Sequence, residues 1–299
     1  MDTVVFVGAA TEDAIAVTAH HPSPDERVVV DDLVRSGGGP AATAAVTAAR
    51  LGVPAQVIAA VGDDRPGHDV IDGLDAAGVD TRHVRVTPHA GTQSVVVICS
   101  RSDATRAICT TAAPPVELDE AAAEAVRSAD WVHVDHHGWP PVARLLADIP
   151  PSDRPRLSVD AGYAVDDLRC RPDEVTLYVP TADRLRAEYG STDLDAALAA
   201  CTAHTVVATD GANGSIGRDH RGRLRRVPGL PIEPVSTLGA GDVFHGALLT
   251  AVVRERPLHE AMAYAGIAAA LSCRAVDGRS AISTDHEIET HLSELKEYA

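Results

Sequence analysis

Lys296 is the only lysine among the 299 residues. Its absence elsewhere excludes a GxxxxGKS/T phosphate loop and any Schiff-base lysine in the core. A phosphate bound here must therefore be held by backbone amides, arginine or a metal ion. Aromatic residues make up 3% of the chain, so helices are expected to pack closely on alanine and other small side chains. The five cysteines, at 99, 109, 170, 201 and 273, are odd in number and lack CxxC spacing. Free thiols in a reducing compartment, and so a cytoplasmic protein, are the expectation. No run is long and apolar enough to read as a membrane span. The opening stretch MDTVVFVGAATEDA has no basic segment ahead of a long apolar one. Positive charge is also scarce, with a formal net charge of −17, which argues against nucleic acid or an anionic membrane as partner. The one basic run, Arg218 to Arg226, contains Asp219, His220 and Gly222 and reads as a solvated hairpin. GAATED follows the first apolar run where a dinucleotide fold needs GxGxxG.

Short apolar runs alternate with alanine-rich helical stretches. Strands are predicted at Thr3–Val7, Val57–Val61, Trp131–Asp135, Leu157–Asp160, Thr176–Val179 and Thr205–Ala208. Helices are predicted over 67–77, 117–127, 140–147, 240–254, 258–273 and 285–297, with a further one opening at Pro40. The pattern implies one α/β domain over 1–299: a doubly wound, mostly parallel sheet with helices on both faces. Two strand pairs interrupt it, 14–19 with 27–34 and 93–99 with 105–110, each joined by turn chemistry. They are expected to form a small β lid, inserted at about 13–35 and 90–111.

The stretch STLGAGDVFHG, Ser236 to Gly246, is where chemistry concentrates. Small residues Gly239, Ala240 and Gly241 lead into Asp242 and an apolar helix. The first amides of such a helix lack intrahelical partners and, with the dipole, make an anion site. A carboxylate beside a bound phosphate is a poor anion ligand, but it can accept a proton from an attacking hydroxyl. The other reading is a glycine-loosened turn with an ordinary N-terminal carboxylate. Upstream, SGGGPAATAAVTAARLG combines Gly37, Gly38 and Gly39 with Pro40 at a first helical position. Its plain reading is a tight turn into a helix packed on the sheet. At the end of the Trp131 strand, His133, Asp135 and His137 share one face by period two, and His136 lies opposite. They are expected to line a ligand pocket rather than hold a metal.

GAGDVFHGAL and GGGPAATAAVTAARLG resemble the two signatures of the PfkB, or ribokinase-like, carbohydrate kinases. The resemblance covers the whole chain and implies ATP-dependent phosphorylation of a sugar hydroxyl, with ATP and Mg²⁺ as cofactors. It implies that the backbone of Gly239, Ala240 and Gly241 forms an anion hole and that Asp242 is the catalytic base. Gly38, Gly39 and Asp13 would bind the sugar, with Thr43 where ribokinase has an Asn. Thr209 and Gly211 of TDGANG would contact nucleotide phosphates, and Gly278 of CRAVDGRSAI would lie on the adenine side. Thr181 and Arg184 replace the NxxE that many members carry. Ser236 replaces the Asp of DTxGAGD, which implies weak or absent activation by K⁺. The lid would exclude water and form a homodimer interface. Within the family both signatures are similar to those of kinases acting on 6-deoxy-6-sulfofructose. Arg27 falls at their sulfonate-binding Lys, and Thr110 and His137 at two further polar contacts. A nucleoside kinase, or a non-catalytic sugar- or nucleotide-binding regulator, is the alternative.

Overall fold

A computed structural model describes residues 2–30, 33–102, 105–162 and 174–297, with side chains to 294. Cys170 and the Lys296 side chain lie outside the described residues. Nine strands form the main sheet. They are β1 (Val4–Val7), β4 (Ala55–Gly62), β5 (Asp80–Thr87), β8 (Trp131–Val134), β9 (Arg156–Ala161), β10 (Leu177–Pro180), β11 (Thr205–Thr209), β12 (Ser215–Arg218) and β13 (Leu224–Val227). Their order is β13-β12-β11-β10-β9-β8-β1-β4-β5. Neighbours from β5 to β11 run parallel, and β12 and β13 form an antiparallel hairpin at one edge.

Apolar residues on both faces of the central strands call for helices on both sides. Along β1, Val4 and Phe6 join one core and Val5 and Val7 the other. Helices α1 (Pro40–Arg50), α2 (Arg65–Ala76), α7 (Ala240–Val253), α8 (Leu258–Ser272) and α9 (Asp285–Glu297) cover the first face. Helices α3 (Glu120–Ser128), α4 (Trp139–Ala147), α5 (Ala182–Tyr189) and α6 (Leu194–Ala200) cover the second. The shortage of aromatics shows in the spacing of α1 and α7. A Cβ on Gly246 would stand 2.4 Å from the Ala44 carbonyl oxygen, so the two backbones meet almost directly.

A second sheet of four strands, ordered β3-β2-β6-β7, forms the lid from β2 (Thr11–Thr18), β3 (Leu33–Gly38), β6 (Ser94–Ser100) and β7 (Arg106–Thr110). The two expected strand pairs thus join edge to edge, through a parallel contact of β2 with β6. Ile15, Val97 and Cys99 fill the lid's own small core. Three details differ from the sequence expectation. Residues 27–30 are irregular: the lid ends at β3, and among the described residues the Val28–Val30 run has no strand to pair with; β propensity alone does not make a strand. Strand β3 instead runs on through Gly37 and Gly38, so these are strand residues rather than a free turn. The edge strand β5 gave no sequence signal, since DTRHVRVT is polar and half-exposed.

Candidate active site

The C-terminal ends of β1, β8 and β9 and the N-termini of α1 and α7 meet at one edge of the sheet, beneath the lid. Helix α7 starts there because Gly239 adopts φ +72°, a left-handed conformation that favours glycine. Gly239 also has to touch the loop after α8: a Cβ on it would lie 2.7 Å from the Gly278 Cα. Gly241 has open space where a side chain would stand, and with Ala240 and Asp242 it supplies the first-turn amides of α7. These are donors without intrahelical acceptors at the positive end of the dipole. Ser236 braces the approach, its buried hydroxyl accepting from the Leu238 amide at 3.2 Å.

Asp242, in the first turn, is half-buried. Its pKa is pushed up to about 7, first by burial and then by the neighbouring Asp160 carboxylate, with Asp135 adding and His245 and Arg279 opposing. A carboxyl poised near neutrality is suited to take a proton from an alcohol.

Asp13 projects from β2 and is buried, its carboxylate accepting the Thr11 hydroxyl at 2.7 Å. Burial raises its pKa, and Thr11 and Arg279 oppose that rise. Gly38, on the neighbouring strand, leaves the room this carboxylate occupies: a Cβ there would stand 2.3 Å from it. Gly39 adopts φ +90° and lies against the Ala9 carbonyl, turning the chain from the lid into α1. Asp13, Gly38, Gly39 and Thr43 are thus brought together where the two sheets meet.

Arg279 joins them, although nothing in the sequence singled it out. Its Nη2 donates to the Gly38 carbonyl at 2.6 Å and its Nε to the Thr43 hydroxyl at 3.1 Å. Gly37 is needed for this reach, since a Cβ there would stand 2.3 Å from Nη1. Desolvation lowers the guanidinium to about 10, against the pull of Asp13, Asp242 and Asp277, so it stays charged at neutral pH. Asp277 anchors the same loop to the lid by accepting the Ser36 hydroxyl at 2.6 Å. The one available signal was negative: with no lysine in the core, a cation here had to be arginine. The loop was expected to serve only the adenine side through Gly278. It turns so that Gly278 meets Gly239 while Arg279 crosses to Gly38 and Thr43.

Asp135 is a hub. Strand β8 ends at Val134, so Asp135 and His137 sit in the following turn and not on a strand face with His133, as period two had suggested. The buried Asp135 carboxylate accepts from the amides of Ala9 (2.7 Å), His137 (2.8 Å), Gly138 (3.0 Å) and Ala41 (3.2 Å). It ties the ends of β1 and β8 to the start of α1. His137 is half-buried, its ring 4.2 Å from that of His136, and burial lowers its pKa first, with His136 adding. His133 is buried below the cleft, and its Nδ1 lies 3.0 Å from the Ser158 hydroxyl. No group of three or more His, Cys, Asp or Glu side chains is placed to hold a metal ion among the described residues.

Thr209 and Gly211 lie at the C-terminal end of β11, two strands from β9, and Gly211 has φ +55°. Thr181 caps α5, its hydroxyl accepting from the Arg184 amide at 3.2 Å. Arg27 is exposed on the connection between β2 and β3, away from the hydrogen bonds that join the other site residues. Thr110, at the end of β7, is exposed and accepts from the Gln93 side chain at 3.1 Å. Among the described residues no helix is long and apolar enough to cross a membrane.

The family model described as pfkB family carbohydrate kinase matches residues 1–285. A ribokinase of Bacillus subtilis (strain 168) is 24% identical over 98% of the chain and 100% of the relative. An ATP-dependent ribose-1-phosphate kinase of Halopiger xanaduensis is 28% identical over 98% of the chain and 99% of the relative. Among solved structures, an Arabidopsis thaliana ribokinase complexed with ribose and ATP superposes with a TM-score of 0.83. It is 22% identical, and the match covers 97% of this chain and 98% of that one.

Proposed function

Because the chain belongs to the pfkB family of carbohydrate kinases, and so to the phosphotransferases with an alcohol acceptor, we propose that it transfers the γ-phosphoryl group of Mg·ATP to a hydroxyl of a sugar or sugar derivative. The observation that carries this reading is the pairing at the start of α7: a helix N-terminus opened by Gly239, with the Asp242 carboxyl, pushed up to about 7, in its first turn. A protein that only binds sugar or nucleotide gains nothing from a carboxylate next to phosphates.

In this reading Asp13 accepts hydrogen bonds from adjacent sugar hydroxyls, since an ionised carboxylate offers several acceptor sites. Gly38 and Gly39 let the acceptor approach the backbone. Asp242 takes the proton of the attacking hydroxyl. The amides of Gly239, Ala240 and Gly241 receive the charge of the transferring group, and Arg279 adds a fixed positive charge between Asp13 and Asp242. Thr209, Gly211 and Gly278 line the nucleotide side. Gly241 leaves the phosphates of ATP room to approach the start of α7, since nothing stands where its side chain would be. Mg²⁺ would be held by the phosphate oxygens themselves, as the described residues offer no carboxylate cage. The lid closes over the acceptor and excludes water.

The finer reading of the acceptor is 6-deoxy-6-sulfofructose or a related ketose. Support comes from the two signatures and from Arg27, an exposed cation on the connection between the lid strands β2 and β3. Around the cleft itself, Asp13, Asp135, Asp160, Asp242 and Asp277 outnumber Arg279 and His245, so an anionic substituent has to point away from Asp242. A homodimer through the lid is part of the same proposal. The lid's outer face, opposite its Ile15, Val97 and Cys99 core, exposes Leu33 and Val96, each at 49% of its surface.

The test is ADP release with Mg·ATP across sulfofructose, fructose 6-phosphate, fructose, ribose, ribose 1-phosphate, ketodeoxygluconate, inositol and adenosine. One acceptor standing well above the others is expected. Preference for adenosine would favour a nucleoside kinase, and ATP binding without turnover on any acceptor would favour the regulator.

A further inference from the structure

We propose that His245, held as a cation against Asp160 beneath the cleft, is a positioning residue that keeps the Asp242 carboxylate available as base. The inference rests on the kinase reading above. His245 lies three residues after Asp242, on the same side of α7. It is buried, and its Nε2 stands 3.2 Å from Asp160 Oδ1. Asp160 lies one residue before the end of β9 and also accepts the Gly162 amide at 2.8 Å.

The groups facing His245 come from three elements: Asp160 from β9, His133 from β8, and Asp242 from its own helix. The His133 ring is 5.7 Å from the His245 ring, and Phe6 of β1 packs on its other side at 5.4 Å. Two imidazolium ions at that separation in a buried site repel strongly, so only one ring is charged. The geometry assigns the charge to His245, which has a carboxylate partner, while His133 has only the Ser158 hydroxyl. The electrostatics agree. Burial lowers His133 to about 3, with His245 adding. His245 is raised by Asp160 and Asp242 against the opposing effect of burial, and Asp160 is held at about 2 despite its burial, chiefly by His245.

A buried ion pair is a costly way to fill space, because apolar side chains of similar volume serve packing equally well or better. Its effect on the base is specific. Asp160 alone would press a negative charge on Asp242 and hold it protonated, whereas with His245 beside it the pair presents little net charge. Of the other charged groups acting on Asp242, Asp135 raises its pKa and Arg279 lowers it, both less than Asp160 and His245 do, so they do not replace this compensation.

His245→Gln tests it by the pH profile of kcat/KM. The expected result is an acid limb about one pH unit higher, with activity lowered about fivefold at pH 7 and regained at pH 9. Mg·ATP affinity should be unchanged. In His245→Gln/Asp160→Asn the limb should return toward that of the wild type. An unmoved limb, or a loss equal at every pH, overturns the inference. Should the variants not fold, imidazole NMR of the wild-type chain decides: a protonated His245 beside a neutral His133 at pH 7 supports it, and a neutral His245 overturns it. Absence of turnover in the wild type fails the kinase reading itself, whereas an unmoved limb in an active variant fails this inference alone.

Discussion

Gly38 stands across the strand pair from the Asp13 carboxylate, so close that a methyl group on it would lie 2.3 Å from an Asp13 oxygen. The neighbouring strand is the wall that fixes this side chain. Gly38→Ala has to displace the carboxylate or the strand. The expected outcome is an acceptor KM raised about tenfold or more, with the KM for Mg·ATP unchanged, because small misplacements of a binding group are costly. Steady-state kinetics with each substrate varied in turn checks this. An unchanged acceptor KM would remove Asp13 from the sugar site.

Arg279 spans the two halves of the site, from Gly38 and Thr43 toward Asp242. Arg279→Gln should lower kcat/KM about a hundredfold. It should also raise the acid limb of the pH profile, because the guanidinium lowers the Asp242 pKa. A variant with wild-type kinetics would reduce Arg279 to a loop anchor.

The pH dependence follows from Asp242. A base must be deprotonated, and this one sits at about 7. Activity should therefore fall as pH drops below neutrality, with the acid limb of kcat/KM near 7. A flat profile down to pH 5 would show an ordinary carboxylate. The same shift has a consequence for stability. The folded state holds the Asp242 proton more tightly than the unfolded chain does, so this group makes stability fall as pH rises from about 4 to 7. Asp242→Asn should thus be more stable than the wild type at pH 8, with a smaller difference at pH 5, as read by thermal denaturation.

Asp135 accepts four backbone amides from three segments. Asp135→Ala leaves those donors buried and unpaired, and should cost about 3 kcal/mol or more of stability. Urea denaturation measures it, and a loss below about 1 kcal/mol would mean that other groups satisfy the amides.

Most of the fold was legible because the strands are buried on both faces and bounded by glycine and proline. The helix starts at Pro40 and Ala240 carried their own signals. The GAGD and glycine segments were legible as candidate sites because both need backbone without side chains. The edge hairpin β12–β13 was legible from its turn, but two other stretches were not: β5 is polar and half-exposed, and Val28–Val30 looks like a strand until the lid is seen to end at β3. Arg279, Asp135 and His245 could not be placed for another reason. Their roles depend on contacts of long sequence separation, such as Arg279 with Gly38 and Asp135 with Ala9, and spacing along the chain does not encode these.

The lid proposal has its own test. Leu33→Asp and Val96→Asp together place charge on the outer face, opposite the Ile15, Val97 and Cys99 core. Light scattering should show a dimer for the wild type and a monomer for the variant. A monomeric wild type would sink the proposal.

The central claim is that Asp242 removes the acceptor's proton. It is tested most directly by Asp242→Asn, assayed for ADP release with the preferred acceptor and for ATP binding by calorimetry. The account predicts a loss in kcat of about a thousandfold or more with ATP affinity retained. Substantial turnover in that variant would contradict it, and the base would have to be sought elsewhere in the cleft.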